Sequence, residues 1–194
     1  MSGTTSRDLR LDADLALPGG RLRLGAGEVG ELPDDPRYVA ALTGEARDRR
    51  HRIHLDGWRA DRRSPARRVR AGLVTVGVAP VAPDVTVVDH LAAVVPVATA
   101  RRLVADTPRL AGLASRPAGL LSGGERRLLA WTMARVGTPG VVLLDRAGTG
   151  LDAEALSWAD RVVAAWLTAG VALVVRVGRH EERRWLHNPA ERSG

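Results

Sequence analysis

The segment LLSGGERRLL, residues 120–129, places a serine hydroxyl and two glycines directly before a stretch with the spacing of an amphipathic helix. Ser122 stands where a helix N-cap belongs, and Gly123 and Gly124 leave their amides unshielded at the positive end of the following helix. Backbone N–H groups at a helix N-terminus bind anions, and a hydroxyl adds one more donor. The corner therefore predicts a phosphate contact, although the same tripeptide also serves as an ordinary capping turn.

The positive charge of the chain comes from arginine, because lysine is absent. The 194 residues carry a formal net charge of +7. Residues 47–70 hold the densest basic run, which could attract nucleic acid or anionic lipid headgroups, or could form a solvated face. Trp58 is the only aromatic residue in this run, and no recognition motif accompanies it. We therefore expect a solvated face and no nucleic-acid partner.

Composition excludes several classes of protein and site. The chain has no cysteine for disulfides or thiolate metal sites, and its five histidines show no metal-ligand spacing. No stretch approaches the roughly 18 consecutive apolar residues of a membrane span. Residues 1–14 lack the apolar run of a secretory signal. The length is sufficient for one domain with a hydrophobic core. Together these features predict a soluble, cytoplasmic chain.

Two kinds of hydrophobic pattern divide the sequence. Short alternating runs in the first half predict an antiparallel β layer, whereas continuous apolar runs, each preceded by a helix, predict parallel strands in the second half. The predicted strands cover residues 9–17, 21–24, 51–57, 71–83, 141–145 and 171–177. The predicted helices cover residues 86–105, with an interruption at Pro96, and residues 122–136 and 152–168.

Residues 121–152, LSGGERRLLAWTMARVGTPGVVLLDRAGTGLD, resemble the ATP-binding cassette (ABC) ATPases. The signature LSGGQ of that family is followed by a helix, a hydrophobic strand ending in LLDEP and a D-loop of the form xGLD. The spacing here from Leu121 through Asp145 to Asp152 fits that order without a gap. Residues 67–91 and the segment HRIHLDGW, residues 51–58, resemble two further segments of the family.

The resemblance implies an α/β fold with a P-loop-NTPase-like ABC ATPase core, an N-terminal antiparallel β layer and a small helical insertion. The whole chain, residues 1–194, is then a single cassette-like domain. Its expected parts are the β layer with the degenerate P-loop region at residues 1–60, the insertion at about 78–118, and the signature, Walker B strand and D-loop at 119–194.

In that family two cassettes pack head to tail, and each ATP lies between the P-loop of one cassette and the signature of the other. The resemblance thus assigns contact with a partner's ATP to Ser122, Gly123, Gly124 and Glu125, where Glu125 replaces the usual glutamine. Asp152 belongs to the D-loop, which runs across the dimer interface in the family. The motifs offered to a partner are therefore retained.

The positions that would serve the chain's own ATP depart from the family pattern. Asp145 resembles the Walker B carboxylate that positions Mg²⁺, but the next residue, a catalytic glutamate in the family, is Arg146. A guanidinium cannot act as a general base at neutral pH and would repel Mg²⁺. His180 lies two residues beyond the expected switch histidine, so it is either a displaced switch or a surface residue. The sequence therefore identifies no catalytic residue.

The P-loop position is held by GELPDDPR, residues 30–37. A P-loop needs backbone amides, a lysine and a hydroxyl for phosphate and Mg²⁺. This segment offers instead the carboxylates of Asp34 and Asp35 and two prolines, which have no amide to donate. We expect the chain's own site to be inactive.

A second glycine pattern, GAGEVG at residues 25–30, matches the dinucleotide fingerprint GxGxxG. That fingerprint requires a helix directly after it. Because Pro33 and Pro36 are expected to block such a helix, we do not predict a dinucleotide site here.

Together these observations predict a degenerate ABC transporter ATP-binding subunit. It would complete the ATP site of an intact partner cassette in a heterodimer, with ATP and Mg²⁺ held mainly by the partner. The insertion would dock a separate transmembrane permease subunit, which places the chain at the inner face of the cell membrane. Two alternatives stay open: a regulatory module that uses its arginine-rich face for nucleic acid or acidic lipid, and a working ATPase in which Arg37 serves as the phosphate cation.

Overall fold

The computed structural model describes residues 9–77, 81–177 and 182–186. These residues form two compact units, the first built from residues up to 75, 139–146 and from 163 onward, and the second from residues 76–138 and 147–162. The strands are β1 Leu9–Asp14, β2 Arg21–Gly25, β3 Val29–Leu32, β4 Arg52–Leu55, β5 Trp58–Arg59, β6 Leu73–Val76, β7 Val141–Asp145 and β8 Ala172–Arg176. The helices are α1 Pro36–Thr43, α2 Pro65–Arg70, α3 Val87–Ala92, α4 Val97–Ala105, α5 Gly123–Ala134 and α6 Ala153–Thr168.

The first sheet is the predicted antiparallel layer. Its strand order is β2-β1-β4-β5, and Leu11 of β1 lies opposite Leu24 of β2 and Leu55 of β4. Leu11, Ala13 and Ile53 are fully buried, which is the alternation expected of strands with one face on a core. The sequence therefore predicted both the class and the position of this sheet.

The second sheet has the order β3-β8-β7-β6, and β8 pairs in parallel with both β3 and β7. The side chains of Leu143, Leu144, Val174 and Val175 are fully buried. Strands covered on both faces carry continuous rather than alternating apolar residues, which explains why β7 and β8 were recognisable. The mixed α/β class is confirmed.

The segment before α1 corrects one sequence prediction. Pro36 does not block a helix; it is the first residue of α1, where a missing N–H is not needed and the fixed backbone angle suits the helix. Asp35 is the N-cap and accepts a hydrogen bond from the Arg37 amide at 2.9 Å. Gly44 ends the helix in the left-handed conformation, with φ of 90°.

The second unit is helical. The predicted interruption at Pro96 is confirmed, because α3 ends at Ala92 and α4 begins at Val97. Within this unit the indole of Trp131 donates to the Ala147 carbonyl at 3.0 Å and meets the Trp158 ring edge-on, with centroids 6.2 Å apart. Among the described residues, no helix combines the length and apolar character that a membrane crossing requires.

The arginine-rich run, residues 47–70, is partly structural. Arg68 in α2 is 1% exposed, and its guanidinium donates to the carbonyl oxygens of Ala41 and Leu42 at 2.7 and 2.6 Å. It also donates to the carbonyls of Asp61 and Arg63. The remaining arginines of α2, Arg67 and Arg70, are exposed. The run therefore combines one internal cross-link with a solvated surface.

Candidate functional site

The carboxyl ends of three parallel strands meet at one edge of the second sheet. Leu32, the last residue of β3, lies in register with Arg176 at the end of β8, and Asp145 at the end of β7 lies opposite the same arginine. Residues 33–35 then connect β3 to α1. Ligands of open α/β sheets bind outside the carboxyl ends of the strands, so this edge is where the chain's own site is expected.

A network of four charged side chains occupies this edge. Arg176, whose side chain is 7% exposed, places Nη1 2.9 Å from Asp145 Oδ1 and Nη2 3.0 Å from Asp34 Oδ1. Arg146 Nη2 donates to both oxygens of Asp34, at 2.8 and 3.0 Å. The network therefore runs from Asp145 through Arg176 and Asp34 to Arg146.

The carboxylates of the β3–α1 loop are held in their charged form. Hydrogen bonding and charge from Arg146, with a further contribution from Arg176, lower the pKa of Asp34 from its ordinary value. Hydrogen bonds from the side chain and amide of Arg37 lower the pKa of Asp35 in the same way. Both loop carboxylates are consequently anions at neutral pH.

The signature corner lies in the second unit, at the N-terminus of α5. The Ser122 hydroxyl accepts from the Glu125 amide at 3.2 Å, and the Glu125 carboxylate accepts from the Ser122 amide at 2.7 Å, so the two residues form a capping box. Gly123 and Gly124 supply the next two amides, which have no acceptor within the helix. Ser122 and Gly123 are exposed. The predicted N-cap at Ser122 is thus confirmed, and the helix itself begins at Gly123.

Asp152 of the D-loop segment is engaged within its own unit. Its Oδ1 accepts from the Ala155 amide at 2.9 Å at the start of α6, and its other oxygen forms an ion pair with Arg109. The α6 amides and Arg109 lower the pKa of Asp152, so it is an anion at neutral pH. His180 lies outside the described residues.

Solved structures with the same architecture include ATP-binding cassettes of ABC transporters. A cassette in its ADP conformation has a TM-score of 0.71 at 16% identity, covering 91% of this chain and 84% of the other. A nucleotide-free cassette has a TM-score of 0.68 at 18% identity, covering 90% and 83%. The chain has the fold of an ATP-binding cassette.

Comparison of this chain with known protein sequences gives a shorter match. It is 52% identical over 46 residues to the phospholipid-transporting ATPase ABCA7 of Homo sapiens and to ATP-binding cassette sub-family A member 7 of Mus musculus. That segment is 24% of this chain and spans only 2% of the length of either relative. No protein-family model matches the chain.

ATP and Mg²⁺ do not fit the residues at this edge of the parallel sheet. The Asp34 carboxylate would repel phosphate, and it is already bound by Arg146 and Arg176. The guanidinium of Arg176 lies against Asp145, and a cation beside that carboxylate opposes Mg²⁺. At the N-terminus of α1 the Arg37 amide is used by Asp35, and Pro36 has no amide.

Arg176 is the site residue that the sequence analysis missed. It bridges Asp34 and Asp145, although 142 and 31 positions separate it from them. Its one signal in the sequence is a charge at the end of the otherwise apolar run VALVV. A charge at such a position requires a partner, because an unpaired buried guanidinium is costly.

The D-loop segment approaches the signature corner closely at one glycine. A Cβ on Gly124 would lie 2.9 Å from the Gly150 carbonyl oxygen, whereas a Cβ on Gly123 would meet open space. We expect Gly124→Ala to lower the free energy of unfolding by about 1–2 kcal/mol, since backbone must shift to admit the methyl group. Gly123→Ala is the matched control and should be neutral or slightly stabilising. Urea unfolding of both variants tests this, and equal effects would contradict the proposed close approach.

Proposed function

We propose that this chain is a catalytically degenerate ATP-binding subunit of an ABC transporter, which completes the ATP site of an intact partner cassette. The chain's contribution is the signature corner Ser122, Gly123 and Gly124, with Glu125 beside it. ATP and Mg²⁺ are held mainly by the partner. Hydrolysis then takes place on the partner's phosphate-binding loop, not at this chain's own sheet edge.

The observation that carries the proposal is the contrast between the two candidate sites. The edge of the parallel sheet is filled by its own ion pairs, and Arg146 stands where a general base would be needed. The signature corner keeps an exposed hydroxyl and two glycine amides at the positive end of a twelve-residue helix. Such a helix end stabilises the charge of a phosphate group.

Glu125 limits how strongly this corner attracts an anion. Its hydrogen bond from the Ser122 amide lowers the pKa of the carboxyl, so Glu125 is ionised at neutral pH. The negative charge lies within the first turn, where it offsets part of the helix dipole. The corner is thus suited to a nucleotide already held by a partner rather than to binding free nucleotide by itself.

The helical insertion, residues 78–118, is proposed to dock a separate membrane permease. Val94 and Val97 on this segment are 70% and 51% exposed, which leaves apolar surface for a partner. A chain docked in this way would be cytoplasmic and peripheral at the inner face of the membrane. The arginine-rich run is not needed for this role, and Arg68 within it is internal.

The test is titration calorimetry of ATP with Mg²⁺ into the purified chain, first alone and then with a candidate partner cassette. The partner retains its phosphate-binding loop but lacks its catalytic glutamate, so that bound ATP is not consumed. We expect no binding heat from the chain alone. In the mixture we expect ATP binding coupled to formation of a heterodimer, observed by light scattering.

Two results would contradict the proposal. Clear ATP binding by the chain alone would mean that the sheet edge accepts nucleotide in spite of its ion pairs. Failure to detect a heterodimer with any cassette from the same cell would rule out the proposed role in completing a partner's ATP site.

A further inference from the structure

The four charged side chains at the edge of the parallel sheet neutralise one another. Asp34 and Asp145 contribute two carboxylates, and Arg146 and Arg176 contribute two guanidinium groups. Arg176 is the central member, because its buried guanidinium presents Nη1 to Asp145 and both Nε and Nη2 to Asp34. Two ion pairs offset the desolvation of that guanidinium, so loss of either carboxylate would leave it undercompensated.

The loop that carries Asp34 is fixed at both ends. It follows Leu32, which is paired with Arg176 in the sheet, and it precedes Pro36, the first residue of α1. Asp35, its last residue, caps that helix. A loop of three residues therefore positions Asp34 beside both guanidinium groups. The polar contacts of its carboxylate with them measure 2.8–3.1 Å.

A carboxylate and a phosphate present the same feature to an arginine, namely a pair of anionic oxygens for parallel N–H donors. We propose that Asp34 is a built-in anion of this chain's own site, which takes the place of a phosphate group between Arg146 and Arg176. In the same way, the guanidinium of Arg176 occupies the position of a cation beside Asp145. The edge of the sheet is then stabilised without nucleotide.

This inference goes beyond the proposed function, since it concerns the isolated chain. It holds whether or not the chain pairs with another cassette. Its test accordingly uses no partner, and its failure would leave the titration with the partner cassette unaffected.

The test is thermal unfolding of the full chain and of Asp34→Asn, with inorganic phosphate as the probe. Asparagine removes the charge that binds this side chain to the two arginines. The side chain at this position is 39% exposed, so it can turn toward solvent and leave room for a phosphate anion between them. We expect the Tm of Asp34→Asn to fall by about 3 °C or more. Millimolar phosphate should recover most of that loss in the variant and leave the Tm of the unmodified chain unchanged, relative to sodium chloride of equal ionic strength.

Asp48→Asn is the matched control. Asp48 is also bound bidentately by an arginine, Arg50, but that arginine is only two residues away and 76% exposed, whereas Arg176 is 7% exposed. Its substitution should produce no specific response to phosphate. If Asp34→Asn does not fold without phosphate, recovery of its folded signal by phosphate but not by sodium chloride supports the proposal.

Three outcomes overturn the proposal. The first is an unchanged Tm for Asp34→Asn. The second is a lowered Tm, or a loss of folding, that phosphate does not recover. The third is an equal response to phosphate in Asp34→Asn, Asp48→Asn and the unmodified chain.

Discussion

Ser122→Asp is expected to reduce ATP hydrolysis by a mixture of this chain with an intact partner cassette on the order of 100-fold. Aspartate is as good an N-cap as serine, so the start of α5 should be preserved. It places a negative charge at the exposed corner proposed to face the partner's nucleotide. Two like charges about 4 Å apart near a protein surface repel by about 4 kcal/mol, which is ample for an effect of this size.

The matched control is Ser122→Asn, which has the same shape as the aspartate variant and also caps helices well, but carries no charge. It should retain far more of the hydrolysis than Ser122→Asp. Thermal unfolding of the isolated chain checks that neither substitution disturbs α5. Equal activity of the aspartate and asparagine variants, with both folded, would show that no phosphate approaches this corner.

The elements with strong hydrophobic patterns were predictable from the sequence. β7 and β8 are covered on both faces, so their apolar runs are continuous and bounded by glycine or proline. The start of α5 was predictable because Ser122 and Glu125 have the spacing of a capping box. In each case the information lies within a dozen neighbouring residues.

β3 and α2 were not predicted, because neither has a hydrophobic pattern of its own. β3 lies at the edge of its sheet, and Leu32 is its one buried residue. α2 has only six residues, and the one that is buried is Arg68. A buried arginine is identified only by the carbonyl oxygens around it, and two of those around Arg68 belong to Ala41 and Leu42, 27 and 26 positions away.

The ion-pair network of the sheet edge was beyond sequence reasoning for the same reason. Asp34 and Arg146 were each predicted to impair nucleotide binding, but nothing in the sequence indicates that they bind each other across 112 positions. The register of the parallel strands determines the contact between Asp34 and Arg146. The parallel pairing of β3, β8 and β7 brings Leu32, Arg176 and Asp145 to one edge, and the short loop after β3 then adds Asp34.

Arg68→Ala is expected to lower the free energy of unfolding by about 3 kcal/mol or more. The guanidinium of Arg68 donates to four backbone carbonyl oxygens, two of them at the end of α1. The hydrogen bonds to Ala41, Leu42 and Asp61 are buried, so these three oxygens would lose a donor in a buried position. Each buried acceptor that loses its partner costs about 1–3 kcal/mol, although relaxation and water recover part of the sum. Urea unfolding of the isolated chain measures the change.

Arg67→Ala is the control for Arg68→Ala, since Arg67 precedes it in α2 and is exposed, with no ion pair or hydrogen bond from its side chain to the rest of the described chain. We expect a change within about 0.5 kcal/mol. Arg68→Met, which keeps the apolar stem and removes the donors, should resemble Arg68→Ala if hydrogen bonding dominates. Similar losses for Arg67→Ala and Arg68→Ala would instead assign the effect to general charge, and the arginine-rich run would then have no internal member.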